Sequence, residues 1–247
     1  ALDFWVISDH AEAATPTKWM EAKKAIRQCN AIHENSDTPD LISFLGFEWT
    51  QIDPNKDNHY GHKNVMFLET DEESVPIMPI GSGGVATDGM RSAERLPVVR
   101  SNMLSMALLD FKNRSRYADL ITFSEHIVDT EDCTEDFYNP ENSCYFSALT
   151  PKDLFTALEK IESDSIVIPH GNTWGFYTPS ESSWDKQLSS DHNNSDKQIS
   201  FEIMSGHGNS EEYRPWTASY TENSVQFCPE PSENYLPSCW RAGEIIK

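Results

Sequence analysis

The chain has 247 residues, of which 38% are hydrophobic, and this is enough apolar material for the core of one α/β domain. Its formal net charge of -21 predicts no nucleic-acid partner and no membrane partner, because anionic surfaces are bound by basic patches. No apolar run approaches the roughly 20 residues of a membrane-spanning helix. The acidity is better explained as a solubilising surface than as a binding function.

The first half of the chain predicts strands that alternate with helices. An apolar run over residues 2–10 predicts a strand, and Thr15 followed by Pro16 is typical of the start of a helix, which extends to about His33. Trp19, Ala22, Ile26 and Cys29 are expected on its buried face. A second strand is expected to end at Glu48, and a third follows at NVMFL.

The middle of the chain is expected to begin with a loop insertion over residues 71–100, which includes the glycines of GSGG. A short helix from Ser101 to Phe111 would then bury Leu104, Ala107, Leu108 and Phe111. LITFSEH predicts another strand, and an acidic loop follows it.

The last third is expected to start with a helix at Thr150, capped with Asp153 and burying Leu154, Phe155, Leu158 and Ile161. This helix leads into the strand SIVIPHGN. Residues 178–198 predict a second loop insertion, and residues 215–247 predict an irregular segment rich in proline. The whole chain is therefore expected to form one partial α/β domain.

Four polar clusters follow apolar runs, namely LDFWVISDH, DLISFLGFE, DSIVIPHGN and SFEIMSGHGNSE. In parallel sheets such runs are strands, and ligands gather at the carboxyl ends of the strands. Imidazole and carboxylate groups that meet there predict a site for Zn, Mn or Fe. The predicted metal ligands are His10, Glu48, His62, His170 and His207, although any single histidine is more often a hydrogen-bonded core residue.

Other polar residues are weaker candidates for the same site. Asp9 is interpreted either as a ligand or as a group that orients His10. Glu202 either faces a polar pocket or joins the site, and Glu211 is a ligand, a histidine partner or a loop acid. Glu125 and His126 end the run LITFSEH. Surface positions are expected for the remaining histidines, which are His33, His59 and His192.

The motifs SDHAE, GFEWT, GHKN, PHGN and SGHGNSE together resemble the DUF3604 family, a branch of the PHP (polymerase and histidinol phosphatase) superfamily of metal-dependent phosphoesterases. The resemblance extends over nearly the whole chain, including CWRAGEII near its end. It implies a distorted TIM-like (βα)7-type PHP barrel with two or three divalent metal ions at its carboxyl face. It also implies metal-site roles for His10, Glu48, His62, His170 and His207, with Asp9 and Asn172 nearby.

The chain departs from the superfamily pattern at two places. No HxH motif precedes the DH strand, and no Asp-x-His strand follows His207. The expected partners are therefore the missing N- and C-terminal parts of the same protein, and the barrel is expected to be incomplete. Such a piece is expected to bind fewer metal ions, and the sequence leaves open whether it is active or inactive on its own.

The resulting hypothesis is a hydrolase of an anionic small-molecule substrate, most simply a phosphate ester, that uses metal-activated water. Asp9, Glu48 and His170 are the predicted catalytic residues, and Glu48 is the predicted bridging carboxylate. The predicted substrate contacts are Asn172, Asn209, Lys63 and Arg214, with Asn64 as a further candidate. One alternative is an amidohydrolase-like enzyme that cuts an amide, ester or sulfate ester. Another is a non-catalytic metal-stabilised module whose aromatics Trp174, Phe176, Tyr177 and Trp216 bind a ligand.

The five cysteines leave two interpretations open. The pairs Cys133 with Cys144 and Cys228 with Cys239 fall in loop-like stretches and suit two local disulfides, with Cys29 left over. Five reduced thiols in a reducing compartment fit the sequence equally well. The sequence contains no CxxC motif, so neither a zinc ribbon nor a thioredoxin-like site is predicted.

Overall fold

The computed structural model describes residues 3–32, 39–171, 178–179, 182, 185–189, 191–202, 204–205, 208–209, 220–223, 225–227 and 230. In these residues the fold is mixed α/β, which confirms the predicted class at that level. The helices are α1 (Pro16–Ala31), α2 (Gly84–Arg91), α3 (Leu96–Leu109), α4 (Arg114–Asp129) and α5 (Pro151–Leu158). The strands are β1 (Phe4–Val6), β2 (Asp9–His10), β3 (Ile42–Phe44), β4 (Gly46–Gln51), β5 (Gly61–Phe67), β6 (Ser165–His170), β7 (Met204–Ser205), β8 (Gly208–Asn209), β9 (Tyr220–Glu222) and β10 (Val225–Phe227).

A four-stranded sheet with the order β2-β4-β5-β6 organises the molecule. β2 runs parallel to β4, whereas β5 runs antiparallel to both of its neighbours. β1 and β3 form a separate parallel pair. Within the described ranges the strands do not close into a barrel, and the antiparallel β5 differs from the all-parallel arrangement that the strand-end argument assumed.

The central sheet has one apolar face and one polar face. Because side chains alternate along a strand, Phe47, Trp49, Val65 and Val167 share a face, and all four are almost completely buried. They belong to a core that also contains Trp19 of α1 and Leu154 of α5. The alternate residues of the same strands lie on the opposite face, and these include Glu48, His62 and His170.

Two of the three predicted helix starts, at Thr15 and Thr150, are confirmed. The Thr15 hydroxyl accepts a hydrogen bond from the backbone of Lys18, with Pro16 in the first turn of α1. Thr150 and Asp153 form a reciprocal capping box at α5. The predicted buried stripe of α5 is also confirmed, whereas Cys29 on α1 is exposed.

Other predicted elements were wrong. LITFSEH lies within helix α4 and is not a strand, because a short apolar run fits a helix face as well as a strand. The loop predicted for residues 71–100 contains α2 and the start of α3, so Ser101 lies inside a helix that begins at Leu96. Glu48 lies within β4, which continues to Gln51, and does not end it.

Helices α3 and α4 pack against each other as a hairpin. The predicted inward stripe of α3 is wrong, since Leu104 is 60% exposed, Leu108 is 81% exposed and Phe111 is 64% exposed. No residue of α3 is buried, and Ile127, near the end of α4, is the one buried residue of that helix. The hairpin therefore has its base near the core and its α3–α4 turn away from it.

The loops contain a disulfide and a short 3-10 helix with a buried glutamine. Cys133 and Cys144 are joined, as one of the two interpretations expected, while Cys228 and Cys239 lie outside the described residues. In the insertion over 178–198, a short 3-10 helix buries Gln187. In the segment over 215–247, β9 and β10 form an antiparallel hairpin. Among the described helices, none is long and apolar enough to cross a membrane.

Lys63 is a cation on the apolar face of the sheet. Its side chain is fully buried; its ammonium donates to the Gln187 side chain and lies 5.4 Å from the centre of the Trp49 ring. Burial, followed by repulsion from Lys186, lowers the pKa of Lys63 from 10.5 to about 7. A buried charge with neutral partners destabilises the folded state.

Replacing Lys63 by Met is expected to raise the free energy of unfolding by about 1–3 kcal/mol at pH 6, because an apolar side chain of similar length replaces a buried cation. This increase in the free energy of unfolding should become smaller as the pH rises from 7 to 10.5. In that window the unfolded chain binds a proton that folded Lys63 has lost, so the stability of the unsubstituted protein rises with pH. Urea unfolding at pH 6 and pH 9 measures both effects, with the exposed Lys24→Met as control. An equal effect of Lys63→Met at both pH values would contradict the buried-cation explanation.

Candidate metal centre

The strand register places the predicted ligands in two neighbouring rows on the polar face of the sheet. His10 pairs with Glu48 across β2 and β4, and Glu48 pairs with Asn64 across β4 and β5. In the next row, Thr50 pairs with His62, and His62 pairs with His170. Paired residues in adjacent strands share a face, so the four strands bring these side chains together.

The antiparallel direction of β5 explains the position of His62. Its strand begins at the edge where β2, β4 and β6 end, so a histidine at the start of β5 meets histidines at the ends of β2 and β6.

Glu48 is the centre of the cluster. Its Oε1 lies 2.5 Å from His62 Nδ1 and 3.2 Å from His170 Nε2, and its Oε2 lies 3.8 Å from His10 Nε2. The side chain is only 15% exposed. The rings of His62 and His170 are stacked with centroids 5.1 Å apart. One carboxylate therefore joins three imidazoles that come from three different strands.

His10, Glu48 and His62 each offer one ligand atom, and these atoms lie within 4.8 Å of one another. Two imidazole nitrogens and a carboxylate oxygen form a donor set that suits Zn, Mn or Fe. His170 borders the group through Glu48. The residues present therefore fit a divalent ion, as the sequence analysis expected.

The charges at the cluster are strongly coupled. Burial raises the pKa of Glu48, but hydrogen bonds from His170 and His62 lower it by a larger amount. The net shift of the pKa is therefore downward, and the carboxylate is ionised. The nearby Glu12 carboxylate, followed by that of Glu48, raises the pKa of His10 against the opposing effect of burial. Burial lowers the pKa of His62. An ionised carboxylate beside a neutral imidazole is the protonation state that metal binding requires.

Glu12 supports His10 and was not singled out in the sequence, although it ends the motif SDHAE. Its carboxylate is completely buried, and Oε1 accepts hydrogen bonds from the backbone N–H groups of Thr50 and Ser82 at 3.0 and 3.1 Å. Its Oε2 lies 3.6 Å from His10 Nδ1. An acid two residues after a candidate ligand was the available clue, but only the fold shows that it is buried.

The side chains of Thr50, Asn64 and Ser8 add further polar contacts around the candidate ligands. The Thr50 hydroxyl lies 2.8 Å from His10 Nδ1 and 3.1 Å from His62 Nδ1, so it contacts two candidate ligands. Asn64 accepts from the Ser8 hydroxyl at 2.5 Å, and its Nδ2 lies 3.5 Å from His170 Nδ1. With Nδ1 of His10 engaged in this way, its Nε2 faces Glu48 and the centre of the cluster.

Of the remaining candidate site residues that the structure describes, some lie at the cluster and others lie elsewhere. Glu202 joins the site, with Oε2 3.8 Å from His170 Nδ1. Asp9 is exposed, and strand alternation directs it away from the face of His10. Lys63 lies on the apolar face, so the structure does not bring it to the cluster as a substrate contact. Glu125 of α4 forms an ion pair with Arg100 at 2.6 Å.

Several predictions fall outside the described residues or concern other histidines. Asn172, His207, Glu211 and Arg214 lie outside the described residues, as do Trp174, Phe176, Tyr177, Trp216 and His33. Only the backbone of Asn209 is described, in β8. His59 is buried and not on the surface as expected, and this burial, with a smaller effect of Lys186, lowers its pKa to about 4. The half-buried His192 packs edge-on against Tyr60.

Comparison of the chain with protein-family models, with curated proteins and with solved structures found no match to any of them. The geometry of the cluster therefore carries the functional argument. The side chains that carry it are His10, Glu12, Glu48, Thr50, His62, Asn64, His170 and Glu202.

Glu12→Gln is expected to weaken binding of Zn or Mn by about 10- to 100-fold while the protein stays folded. A Gln oxygen still accepts from Thr50 and Ser82, but its amide N–H then faces His10 Nδ1. This favours the tautomer with a proton on Nε2, which blocks the nitrogen that faces Glu48. Competition with a chromophoric chelator measures the affinity, and circular dichroism checks folding. Glu21→Gln, on the exposed side of α1, is the control. Unchanged affinity in a folded Glu12→Gln protein would show that Glu12 does not position His10.

Proposed function

We propose that this chain carries the metal centre of a hydrolase that cleaves phosphate esters with metal-activated water. The observation that supports the proposal most directly is the group of His10, Glu48 and His62, whose ligand atoms lie within 4.8 Å of one another on one face of the sheet. Glu12 and Thr50 hold the same imidazole nitrogen of His10, which is typical of metal-binding histidines.

The chemistry follows from the donor set. A divalent ion held there would lower the pKa of a coordinated water toward ~7 and would so supply hydroxide at neutral pH. His10, Glu48 and His62 would hold the ion. Glu48 also contacts His170, which in turn lies near Glu202, and these residues would hold a second ion.

The charge of the protein favours a metal-dependent route to an anionic substrate. With a net charge of -21, the chain repels phosphate in general, and bound cations would reverse the sign of the potential locally. Asn64 lies on the same face and offers an amide to a substrate oxygen. These features agree with the motif resemblance to the DUF3604 branch of the PHP superfamily, and we extend the proposal to a PHP-like barrel of which the described sheet forms a part.

The purified protein is expected to bind at least one equivalent of Zn, Mn or Fe, and both His10→Ala and His62→Ala should lose most of it, because each removes one of three ligands. Plasma mass spectrometry measures the metal after dialysis against each ion. His126→Ala, which removes an exposed histidine of α4, is the matched control. If all four proteins bind the same amount of metal, the cluster is not the metal site.

Hydrolysis of p-nitrophenyl phosphate with added Mn or Zn is expected to fall at least 100-fold in Glu48→Gln, because the neutral amide weakens metal binding and removes the central negative charge. His126→Ala should retain full activity. p-Nitrophenyl acetate and p-nitrophenyl sulfate are assayed in parallel. Hydrolysis of either of these substrates without hydrolysis of the phosphate would support the amidohydrolase-like alternative and contradict the phosphoesterase proposal. Metal binding without turnover of any substrate would favour the non-catalytic module.

A further inference from the structure

The α3–α4 hairpin exposes more large apolar side chains than a solvated helix pair requires. Around the end of α3 the exposed side chains are Leu104, Met106, Leu108, Leu109 and Phe111, at 60%, 41%, 81%, 83% and 64% exposure. Contiguous exposed apolar surface marks a binding site for a partner or a membrane. This surface is called the hairpin tip below, together with the turn residues 110–116.

The apolar residues of the tip are not confined to one side of the helix. At about 100° per residue, Leu104 and Leu108 lie on one side of α3, whereas Met106 and Leu109 lie about 100–200° further round. The half-buried residues Leu96, Val99, Met103 and Ala107 occupy the remaining face, toward α4. A second copy of the chain packed against one side of the hairpin would leave the other side exposed. An apolar medium that surrounds the tip covers both.

The tip is also a basic region of an acidic molecule. Lys112, Arg114 and Arg116 fall within five positions with no acidic residue between them, in a chain with a net charge of -21. All three are exposed. The adjacent Asp110 already accepts hydrogen bonds from Asn113 and Tyr117. The guanidinium of Arg114 lies 4.2 Å from the centre of the Phe111 ring, so positive charge directly borders the apolar residues.

We propose that the hairpin tip docks on an anionic lipid surface, with Leu108, Leu109 and Phe111 inserted among the acyl chains and the three basic residues at the headgroups. Apolar residues flanked by Lys and Arg are the combination that binds such interfaces. Although the net charge alone argued against this partner, the fold separates the charges. α3 has 14 residues and is about 21 Å long, more than twice the Debye length of about 8 Å at physiological salt. Most of the acidic body is therefore screened from the lipid.

Flotation with liposomes tests the proposal on the whole chain, with a chelator present so that divalent ions cannot bridge protein and lipid. The protein is expected to float with phosphatidylcholine vesicles that contain 30% phosphatidylglycerol, and much less with pure phosphatidylcholine. The triple variant Leu108→Ser, Leu109→Ser, Phe111→Ser should bind at least tenfold more weakly. Lys112→Gln, Arg114→Gln and Arg116→Gln should each cost about fivefold, and together they should remove the preference for anionic lipid.

Matched controls separate the tip from general effects. Leu68→Ser and Phe137→Ser remove apolar side chains of similar exposure elsewhere, and both should bind like the unsubstituted protein. Absence of flotation with anionic vesicles, or flotation that the tip variants do not change, overturns the proposal. Sedimentation velocity of the same proteins adds one more decisive outcome. A dimer that the serine variant disrupts, without lipid binding, assigns the tip to a second copy and also overturns the proposal.

Discussion

The structure depends on a single constraint, which is that the four-stranded sheet must bury one face and leave a polar cluster on the other. Phe47 and Trp49 face the core, and Glu48 and Thr50, which alternate with them along β4, face the cluster. A slip of one residue in the register would place Glu48 in the core and Trp49 among the histidines. The apolar packing that stabilises the sheet therefore also fixes the candidate metal site.

Burial of two carboxylates costs desolvation free energy, and the donors that compensate for it give the cluster a specific geometry. Glu12 is completely buried and Glu48 nearly so, and each is compensated by several donors and not by a single cation. Backbone N–H groups of Thr50 and Ser82 hold Glu12, and imidazoles surround Glu48. Because Ser82 belongs to the GSGG segment, Glu12 also fixes that loop against β4. Gly81 and Gly84 permit this approach, since a Cβ at Gly81 would overlap the Tyr145 ring and Gly84 adopts a positive φ.

Cations have different roles in different parts of the molecule. The net charge of -21 describes the whole chain, and three settings show how its cations differ. The buried Lys63 opposes folding, Lys23 and Arg27 of α1 pair with Glu72, and the three basic residues of the hairpin tip point to a lipid partner. The metal-centre proposal and the lipid proposal are independent, because the tip shares no residue with the cluster. If both proposals hold, the metal centre would act at an anionic lipid surface.

The sequence by itself determined those features that depend on local chemistry. These are the capped starts of α1 and α5, the α/β class, the Cys133–Cys144 pairing as one of two options, and most of the candidate ligands. Only the tertiary structure decided the direction of β5, which brings His62 to the edge of His10 and His170, and the burial of Glu12 and His59. It also decided that LITFSEH is helical and that Leu108 and Phe111 are exposed. The reason is physical: a capping hydroxyl acts on its own helix, whereas strand direction, burial and the exposure of an apolar stripe depend on residues far away in the chain.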